Sequence, residues 1–492
     1  MALTISVDEI ILGSKSPLLA VQPHWERVRL GEIGHVLNGC AFKSELFSRQ
    51  GGMPLIRIRD VGGDTTDTNY LGDYDERYVV RPGDLLIGMD GDFNCARWRG
   101  PPALLNQRVC KVAVDPAAYA PRLLDYVLPG YLRAINHATS SITVKHLSSR
   151  TVAEIPLPRP PFDEQHRIVA EIEKQFSRLD QAVASLQRVK AQLKRYKASV
   201  LKAAVEGRLV ETEAARARRE GCGFGTGAEL AAQGSANAAG SRKPGAALHH
   251  ETGEQLLKRI LDTRRSQWKG KGKYKEPATP ETAGLPELPE GWVWSSVDQT
   301  AQIISGLTKN PKRGALPVKL PYLRVANVYA NELRLDEIEY IGVADGELEK
   351  LLLQQNDLLV VEGNGSPDQI GRVALWDGSI SNCVHQNHII KVRFRDSLQP
   401  KWAMNWLLSP GGRHQIEQVS SSTSGLHTLS TGKVSCLPVP LPPLAEQHRI
   451  VAEVDRRLSI VREVEAEVDA NVKRAQALRQ AVLTRAFTGA SS

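Results

Sequence analysis

A long-range internal repeat constrains the fold of this chain more than any other feature of its sequence. The string EQHRIVAE occupies residues 164–171 and returns at 446–453, which is 282 residues later. At the same separation, IPLPRPP over 155–161 matches LPVPLPP over 437–443. Eight consecutive identities do not arise from composition, so the chain is predicted to contain one structural unit twice.

Fainter matches precede each copy of this block. Trp25 corresponds to Trp292 and Arg57 to Arg324 at a separation of 267 residues, whereas NQRVCKV and QNHIIKV correspond at 280. A separation that grows along the chain indicates longer surface loops in the second copy. Short β-like runs such as PLIRIRDV and DLLVVEG are separated by turn residues. Each copy is therefore predicted to be a variable, mixed α/β module followed by a near-constant segment.

The near-constant segment is predicted to be a long helix. Two prolines at 160–161 end any earlier helix, Asp163 can cap the new one, and neither Pro nor Gly follows until about residue 206. Apolar residues recur every seven positions and form a narrow stripe that one helix cannot bury alone. The stripe consists of Ile172, Leu179, Leu186, Leu193 and Val200 in the first copy and of Val454, Val461, Val468, Ala475 and Val482 in the second.

Two arrangements satisfy this stripe. The two helices pair with each other as a coiled coil, or each helix packs on its own globular module. About 43 helical residues would give a rod of roughly 65 Å. Periodicity alone does not choose between parallel and antiparallel pairing.

These boundaries predict the domain organisation. The predicted segments are a first module over 1–155, a first long helix over 156–210, a linker over 211–287, a second module over 288–436 and a second long helix over 437–492. The linker begins with an Ala-, Gly- and Arg-rich stretch and is predicted to be flexible, with a helical segment near 253–268.

Composition excludes several classes of protein. No apolar run approaches the roughly 18 residues of a membrane span, and MALTISVDEI lacks the basic start of a signal peptide, so we expect a cytoplasmic protein. The six cysteines form no C-x-x-C pair and lack finger-like spacing to a histidine, which argues against a zinc site or a disulfide framework. The net charge of +8 permits a polyanionic partner without establishing one.

The sequence lacks motifs for catalysis. It contains no G-x-x-x-x-G-K-[ST] loop and no N-P-P-[FY] methyltransferase motif. The glycine run at 221–227 follows no predicted strand, and His166 and His448 are better explained as packing or docking residues of the repeated block. The sequence therefore favours a non-catalytic binding and positioning protein with no metal or cofactor of its own. A self-contained DNA methyltransferase or nuclease is the weaker alternative.

This layout resembles the DNA specificity subunit of type I restriction-modification systems. The resemblance is carried by P-x-P-P-x-x-E-Q-x-R-I-V at both predicted helix starts, by W-x-x-x-x-L/V at Trp25 and Trp292, and by ETGEQLLKRILDTRRSQW and GLPELPEGW before the second module. It implies an α+β fold, in which two mixed α/β target-recognition domains are separated by a long antiparallel two-helix coiled coil with a pseudo-twofold internal repeat.

The same resemblance implies a role and partners. Each recognition domain would read one half of a split, asymmetric target in double-stranded DNA. The chain would also recruit two DNA methyltransferase subunits, which carry S-adenosylmethionine, and restriction subunits, which use ATP and Mg. A coiled-coil scaffold or DNA-binding adaptor outside restriction-modification is the alternative.

Candidate DNA contacts are basic or polar residues near predicted loops and strand ends. They are Lys43, Arg57, Arg59, Arg97, Arg99, Lys145 and His146 in the first module, and Lys309, Lys312, Arg313, Arg324, Arg372, His427 and Thr428 in the second. For most of them a solvated surface charge is the simpler interpretation. The correspondence of Arg57 with Arg324 fits a shared structural ion pair equally well.

Overall fold

Two compact units make up the fold. The computed structural model describes residues 6–14, 16–19, 21–138, 146–220, 251–270, 272–364, 369–394, 399–423 and 426–488. One unit is formed by Met1–Arg188 together with Val468–Ser492, and the other by Val189–Glu467.

The first unit contains the first variable module. Its strands are β1 (Glu26–Arg29), β2 (Gly34–Asn38), β3 (Phe47–Ser48), β4 (Met53–Ile56), β5 (Asn69–Tyr70), β6 (Val79–Val80), β7 (Leu85–Gly88), β8 (Cys95–Arg97), β9 (Ala103–Leu105), β10 (Val109–Val114) and β11 (Pro156–Arg159). Its helices are α1 (Val7–Gly13), α2 (Leu30–Ile33), α3 (Pro121–Ala138), α4 (Ser149–Ala153) and the first part of α5 (Phe162–Val205). The strands form sheets in the orders β1-β11, β2-β10-β7-β8 and β3-β5-β4-β9-β6.

The second unit contains the second variable module. Its strands are β12 (Val293–Ser296), β13 (Ala301–Ser305), β14 (Lys319–Leu323), β15 (Val328–Tyr329), β16 (Glu332–Leu333), β17 (Glu339–Gly342), β18 (Leu358–Val361), β19 (Gly363–Asn364), β20 (Val373–Leu375), β21 (Val384–His385), β22 (Ile389–Phe394), β23 (Ser421–Thr423), β24 (Leu426–Thr428) and β25 (Pro438–Leu441). Its helices are the end of α5, α6 (Glu213–Arg219), α7 (Gly253–Ser266), α8 (Val297–Thr300), α9 (Leu348–Leu351), α10 (Pro400–Leu408), α11 (Pro410–Val419), α12 (Thr431–Cys436) and the first part of α13 (Leu444–Thr488).

The two modules have the same topology at their centres. The sheet β2-β10-β7-β8 of the first is matched by β13-β22-β18-β20 of the second. The parallel pair β4 and β9 is matched by β14 and β21, and the antiparallel pair β1 and β11 by β12 and β25. The predicted repeat of an α+β module is confirmed.

Within the first unit, α5 and the end of α13 run antiparallel. Ile172, near the start of α5, and Phe487, near the end of α13, belong to one apolar core. Further along α5, Asp180 accepts a hydrogen bond from Arg479, which lies earlier in α13. The guanidinium of Arg479 also stacks over the ring of Phe176, 4.7 Å from its centre.

Within the second unit, the end of α5 runs antiparallel to the start of α13. Lys197 donates to Glu465 at 2.6 Å, while later residues of α5 share a core with earlier residues of α13. That core includes Val200 and Val205 of α5 and Ile450, Val454 and Leu458 of α13. Lys197 interrupts the apolar stripe, and its half-buried ion pair across the helices favours one register.

The predicted apolar stripe lies on the inner sides of both helices. Ile172, Val200, Val454, Val461, Val468 and Ala475 are buried, and Leu179, Leu186, Leu193 and Val482 are half-buried. Both arrangements considered for the stripe occur, because the helix ends pack on module cores and the two helices also pack on each other.

Two local predictions differ from the structure. The first long helix begins at Phe162, one residue before the predicted cap Asp163, because the carbonyl of Pro161 accepts from the backbone N–H groups of Glu164 and Gln165. The predicted flexible linker begins with an ordered helix, α6, whose Glu213 is buried and bound by Arg449. Glycine and alanine content over the whole linker concealed this short anchored stretch.

Candidate nucleic-acid interface

The repeated helix starts attach each module firmly to its long helix. The indole Nε1 of Trp25 donates to Glu164 Oε2 at 3.2 Å, and that of Trp292 donates to Glu446 Oε1 at 3.1 Å. The glutamine that follows in each copy is buried and bridges two chain segments. Gln165 accepts from the N–H of Ala120 and donates to Pro160, as Gln447 does with Gln399 and Pro442.

These contacts explain the Glu-Gln part of the repeated string. Burial raises the pKa of Glu446 to about 7, although it accepts hydrogen bonds from Glu213 and Trp292. The histidine that follows in each copy is exposed. His166 packs edge-on against Phe162, and His448 contacts Gln399.

Arg57 and Arg324 lie at equivalent backbone positions. Each directly follows a central strand and precedes a single 3-10 turn, and its N–H donates at 2.8 Å to Asp60 or to Asn327. Their side chains behave differently. Arg324 pairs with Glu339 at 2.8 Å, whereas Arg57 is exposed and forms no ion pair with any described residue. The two modules therefore share the turn and not the ion pair.

The other residues predicted to contact DNA in the first module differ in whether their side chains are bound by other residues or exposed. Arg97 is held inside the module by Asp125 at 2.8 Å and by the carbonyl of Pro121 at 2.9 Å. Arg59 binds Asp67, whose pKa is lowered by the hydroxyl of Thr68 and by this guanidinium. Lys43 and Arg99 are exposed, and Lys145 lies outside the described residues.

The predicted cations of the second module are mostly held by acidic or aromatic partners. Glu339 accepts from Lys309 and Arg324, both at 2.8 Å, and these cations lower its pKa. Arg313 forms a two-pronged pair with Glu347, and Arg372 is buried over the ring of Tyr329 at 4.8 Å. Lys312 is exposed, and Thr428 is exposed next to His427 on β24.

In each module three chain segments meet at one edge of the central sheet, and we call this place the strand-end junction. In the first module they are the end of β7, the start of β10 and the segment before α4. In the second they are the end of β18, the start of β22 and the segment after β24. In the first module the N–H of Met89 donates to Arg108 at 3.0 Å, and the N–H of Leu147 donates to Met89 at 2.7 Å. In the second module Glu362 donates to His388 at 2.9 Å, and Leu429 donates to Glu362 at 2.6 Å. The backbone connections of the two junctions are the same.

The next residues complete the correspondence. Asp90 forms a β-bridge with His146, and Gly363 is paired in the same way with Thr428. Two of the predicted contacts, His146 and Thr428, therefore occupy equivalent positions in the two modules.

The side chains at the two junctions differ in chemistry, and their carboxylates come from neighbouring positions, since Glu362 corresponds to Met89 and Asp90 to Gly363. Asp90 lies 2.7 Å from Nδ1 of His146 and 3.4 Å from Nη1 of Arg108. Glu362 lies 3.2 Å from Nδ1 of His388. Arg108 and His388 are each 55% exposed, and their carboxylate partners are 30% and 29% exposed. Each junction thus presents an exposed basic side chain next to a carboxylate, and in the first junction that carboxylate also contacts His146.

Sequence reasoning missed Arg108 and His388. The signal was available, because both residues occupy the third position of the corresponding strings NQRVCKV and QNHIIKV. A basic residue that changes type between two otherwise corresponding strings marks a position where the backbone is kept and the surface chemistry is altered.

The remaining polar chemistry is sparse in the part of the chain that the structure describes. Among these residues there is no group of three or more His, Cys, Asp or Glu placed to hold a metal ion. Burial raises the pKa of the Cys110 thiol to about 12 and also raises that of Cys95, so neither is a ready nucleophile. No helix within the described ranges is sufficiently long and apolar to cross a membrane.

Comparison with known proteins finds similarity along nearly the whole chain. The family described as "Type I restriction modification DNA specificity domain" matches residues 23–195 and 289–470. The type I restriction enzyme EcoBI specificity subunit of Escherichia coli is 31% identical over 495 residues, covering 99% of this chain and 91% of that protein. The StySPI specificity subunit of Salmonella potsdam is 21% identical, covering 94% and 89%.

A solved structure has a similar fold. A chain from work on complex assembly and conformational transition of the type I R-M system gives a TM-score of 0.57 at 17% identity. The match covers 95% of this chain and 99% of that one.

Proposed function

This chain belongs to the type I restriction-modification DNA specificity family, and from that membership we propose that it selects the DNA target of a methylation and restriction complex. It is a DNA-recognition subunit with two recognition domains, which are the two variable modules. We propose that each module reads one half of a bipartite target and that the two halves differ in sequence.

The observation that carries this proposal is the repeated backbone with altered surface side chains. The modules share their central sheets and strand-end junctions, yet Arg108 in one stands where His388 stands in the other. A shared backbone places side chains in the same way, and different side chains recognise different bases. Two such modules in one chain combine their binding energies, since binding of the first makes binding of the second intramolecular.

The predicted contacts divide by chemistry. Exposed cations such as Lys43, Arg57 and Lys312 suit phosphate contacts, which supply affinity without sequence choice. Side chains that are held in place and still partly exposed, such as His146 by Asp90 at 2.7 Å, have a fixed orientation and suit base edges. All fourteen remain proposed contacts.

We further propose that the chain has no catalytic activity of its own. Two methyltransferase subunits would supply S-adenosylmethionine chemistry, and restriction subunits would supply ATP- and Mg-dependent cleavage. Such a complex would act on cytoplasmic DNA. The buried attachments of each module to its long helix, such as Trp292 to Glu446, make the helices suitable supports for partner subunits.

A gel-shift series with the methyltransferase complex tests this function. Duplexes carry each half-site intact or scrambled, with spacers of different length, at several salt concentrations. The proposal predicts that scrambling either half or changing the spacer weakens binding. Binding that is indifferent to half-site sequence and to spacer length would contradict it. An absence of salt-dependent affinity would favour a scaffold that does not bind DNA.

A further inference from the structure

We propose that the strand-end junction of each recognition module is a base-reading site, in which Arg108 with His146 and His388 with Thr428 contact base-pair edges of duplex DNA. This inference rests on the proposed function and adds the residues that determine sequence choice. Its ligand is the hydrogen-bonding edge of a base pair in the major groove.

The internal repeat provides the first argument. If two modules with one backbone read different half-sites, base-reading residues must lie at equivalent positions, must be accessible and must differ in hydrogen-bonding chemistry. Arg108 and His388 satisfy all three conditions, since they hold equivalent backbone bonds and are each 55% exposed. By contrast, Trp25 and Trp292 are identical and buried, which fits a structural role.

The carboxylate behind each basic group provides the second argument. A contact this exposed between a carboxylate and a basic group stabilises a fold by no more than about 1 kcal/mol, so stability alone does not account for such a contact at each junction. A carboxylate that fixes the direction of a flexible basic side chain reduces the entropy lost on binding. Asp90 and Glu362 are placed to do this at the two junctions.

The atoms left available at Arg108 suit guanine. Its contact to Asp90 is a single one, from Nη1 at 3.4 Å. Its Nε and Nη2 have no hydrogen-bond partner among the described residues. A guanidinium with several outward donors can bind O6 and N7 of guanine together, which is the commonest specific contact of arginine with DNA.

His388 presents different chemistry from the same place. In the neutral imidazole, an Nδ1–H that donates to Glu362 at 3.2 Å leaves Nε2 as an acceptor. The neighbouring Asn387 amide approaches this Nε2 only at 3.5 Å, a long contact that a base amino group would replace. An acceptor pairs with the exocyclic amino group of adenine or cytosine, which the major groove displays. The first junction is therefore suited to guanine and the second to a base that offers an amino group.

Selection from randomised duplexes tests this assignment. The full chain, assembled with its methyltransferase subunits, is presented with a pool randomised across both half-sites, and bound sequences are counted for wild type, Arg108→Ala and His388→Ala. Arg77→Ala is the matched control, because Arg77 is an exposed arginine of the first module that also pairs with an aspartate, Asp75 at 3.1 Å. Thermal melting of each complex verifies folding.

We expect each variant to lose preference at one or two positions of a single half-site. The expected loss of discrimination is about 5- to 150-fold, in opposite half-sites for the two variants, and Arg77→Ala should retain the full wild-type motif. Asp90→Asn, which keeps Arg108 but removes the charge behind it, should weaken preference at the same position as Arg108→Ala.

Two results would overturn the assignment while leaving the proposed function intact. One is retention of both half-sites by Arg108→Ala and His388→Ala. The other is a uniform loss of affinity over all sequences, which would make these residues phosphate contacts. A wild-type complex without any sequence preference would instead contradict the proposed function, and the assignment would fail with it.

Discussion

The helix starts and the strand-end junctions are both present twice, but the repeat preserves side chains at the helix starts and only backbone hydrogen bonds at the junctions. At the helix starts the side chains and their bonds are the same, as in the indole-to-carboxylate contacts of Trp25 with Glu164 and of Trp292 with Glu446. At the junctions the backbone bonds are the same and the side chains change. Side chains that are identical in both copies fit a structural requirement. Side chains that differ between the copies on the same backbone fit a role in recognition.

The largest expected effect comes from lengthening the helical part while leaving both modules unchanged. Seven residues inserted into α5 after Leu186 and seven into α13 after Arg474 preserve the apolar stripe and add roughly 10 Å of helix. We expect affinity for the original target to fall by about 100-fold or more, because the two modules no longer bind together. Gel shifts with a series of longer spacers should recover binding at one spacer length, set by both the added helix and the turn of the DNA.

The matched control for this insertion is the bound sequence itself. The base sequence of both half-sites should be unchanged, since no module residue has changed. An altered base sequence in either half-site of the insertion variant would contradict the division between structural and recognition regions.

A smaller but still large effect is expected at the buried glutamines. Gln447→Ala leaves the N–H of Gln399 and the carbonyl of Pro442 without their side-chain partner inside the protein. Unfolding of the second unit should become easier by about 2–4 kcal/mol, measured by hydrogen exchange of α13 amides. Gln165→Ala should have the same effect on the first unit. The exposed neighbour His448→Ala is the control, and an equal loss there would refute the explanation.

The pH dependence of the second unit should follow Glu446. The pKa of this carboxyl is raised from about 4.5 to about 7 by burial, so the folded protein keeps a proton that the unfolded chain releases. Stability of this unit should therefore fall as pH rises from about 4.5 to 7, by at most roughly 3 kcal/mol, and then level off for this group. Denaturant unfolding followed by tryptophan fluorescence at several pH values measures it.

Glu446→Gln should abolish that slope, and Glu164→Gln in the first unit should leave it unchanged. A stability that increases over the same pH window would contradict the assignment of the slope to Glu446.

The smallest expected effect is at the ion pair between helices. Lys197→Ala removes the contact to Glu465, which is only half-buried, and should cost no more than about 1 kcal/mol. Asp180→Ala, which removes the more exposed pair to Arg479, should cost less. Unfolding of the two variants under identical conditions checks the order. A reversed order would show that burial does not govern these pairs.

Much of the fold could be predicted from the sequence, because its strongest signals are periodic. The repeat of EQHRIVAE and the seven-residue spacing of Ile172 to Val200 predicted two modules and two long helices. Helix direction could not be predicted from the spacing, since an apolar stripe fits either orientation. It depends on particular partners, such as Lys197 with Glu465 and Asp180 with Arg479.

The candidate site was less accessible to sequence reasoning. Choosing basic residues near loops included Arg97 and Arg372, whose partners Asp125 and Tyr329 are distant in sequence. It omitted Arg108, because nothing local distinguishes an arginine beside a strand from any surface charge. Comparison of NQRVCKV with QNHIIKV marks its position in the sequence, but only the convergence of three segments at the junction places it beside Asp90.

The most direct test of the central claim is genome-wide sequencing of methylated bases in a host that carries the methyltransferase partner, with and without this chain. If two modules read the target, the chain should add methylation at one motif, made of two unlike halves separated by a fixed number of unspecified base pairs. Appearance of no new motif, or of a single uninterrupted one, would contradict recognition by two separate modules.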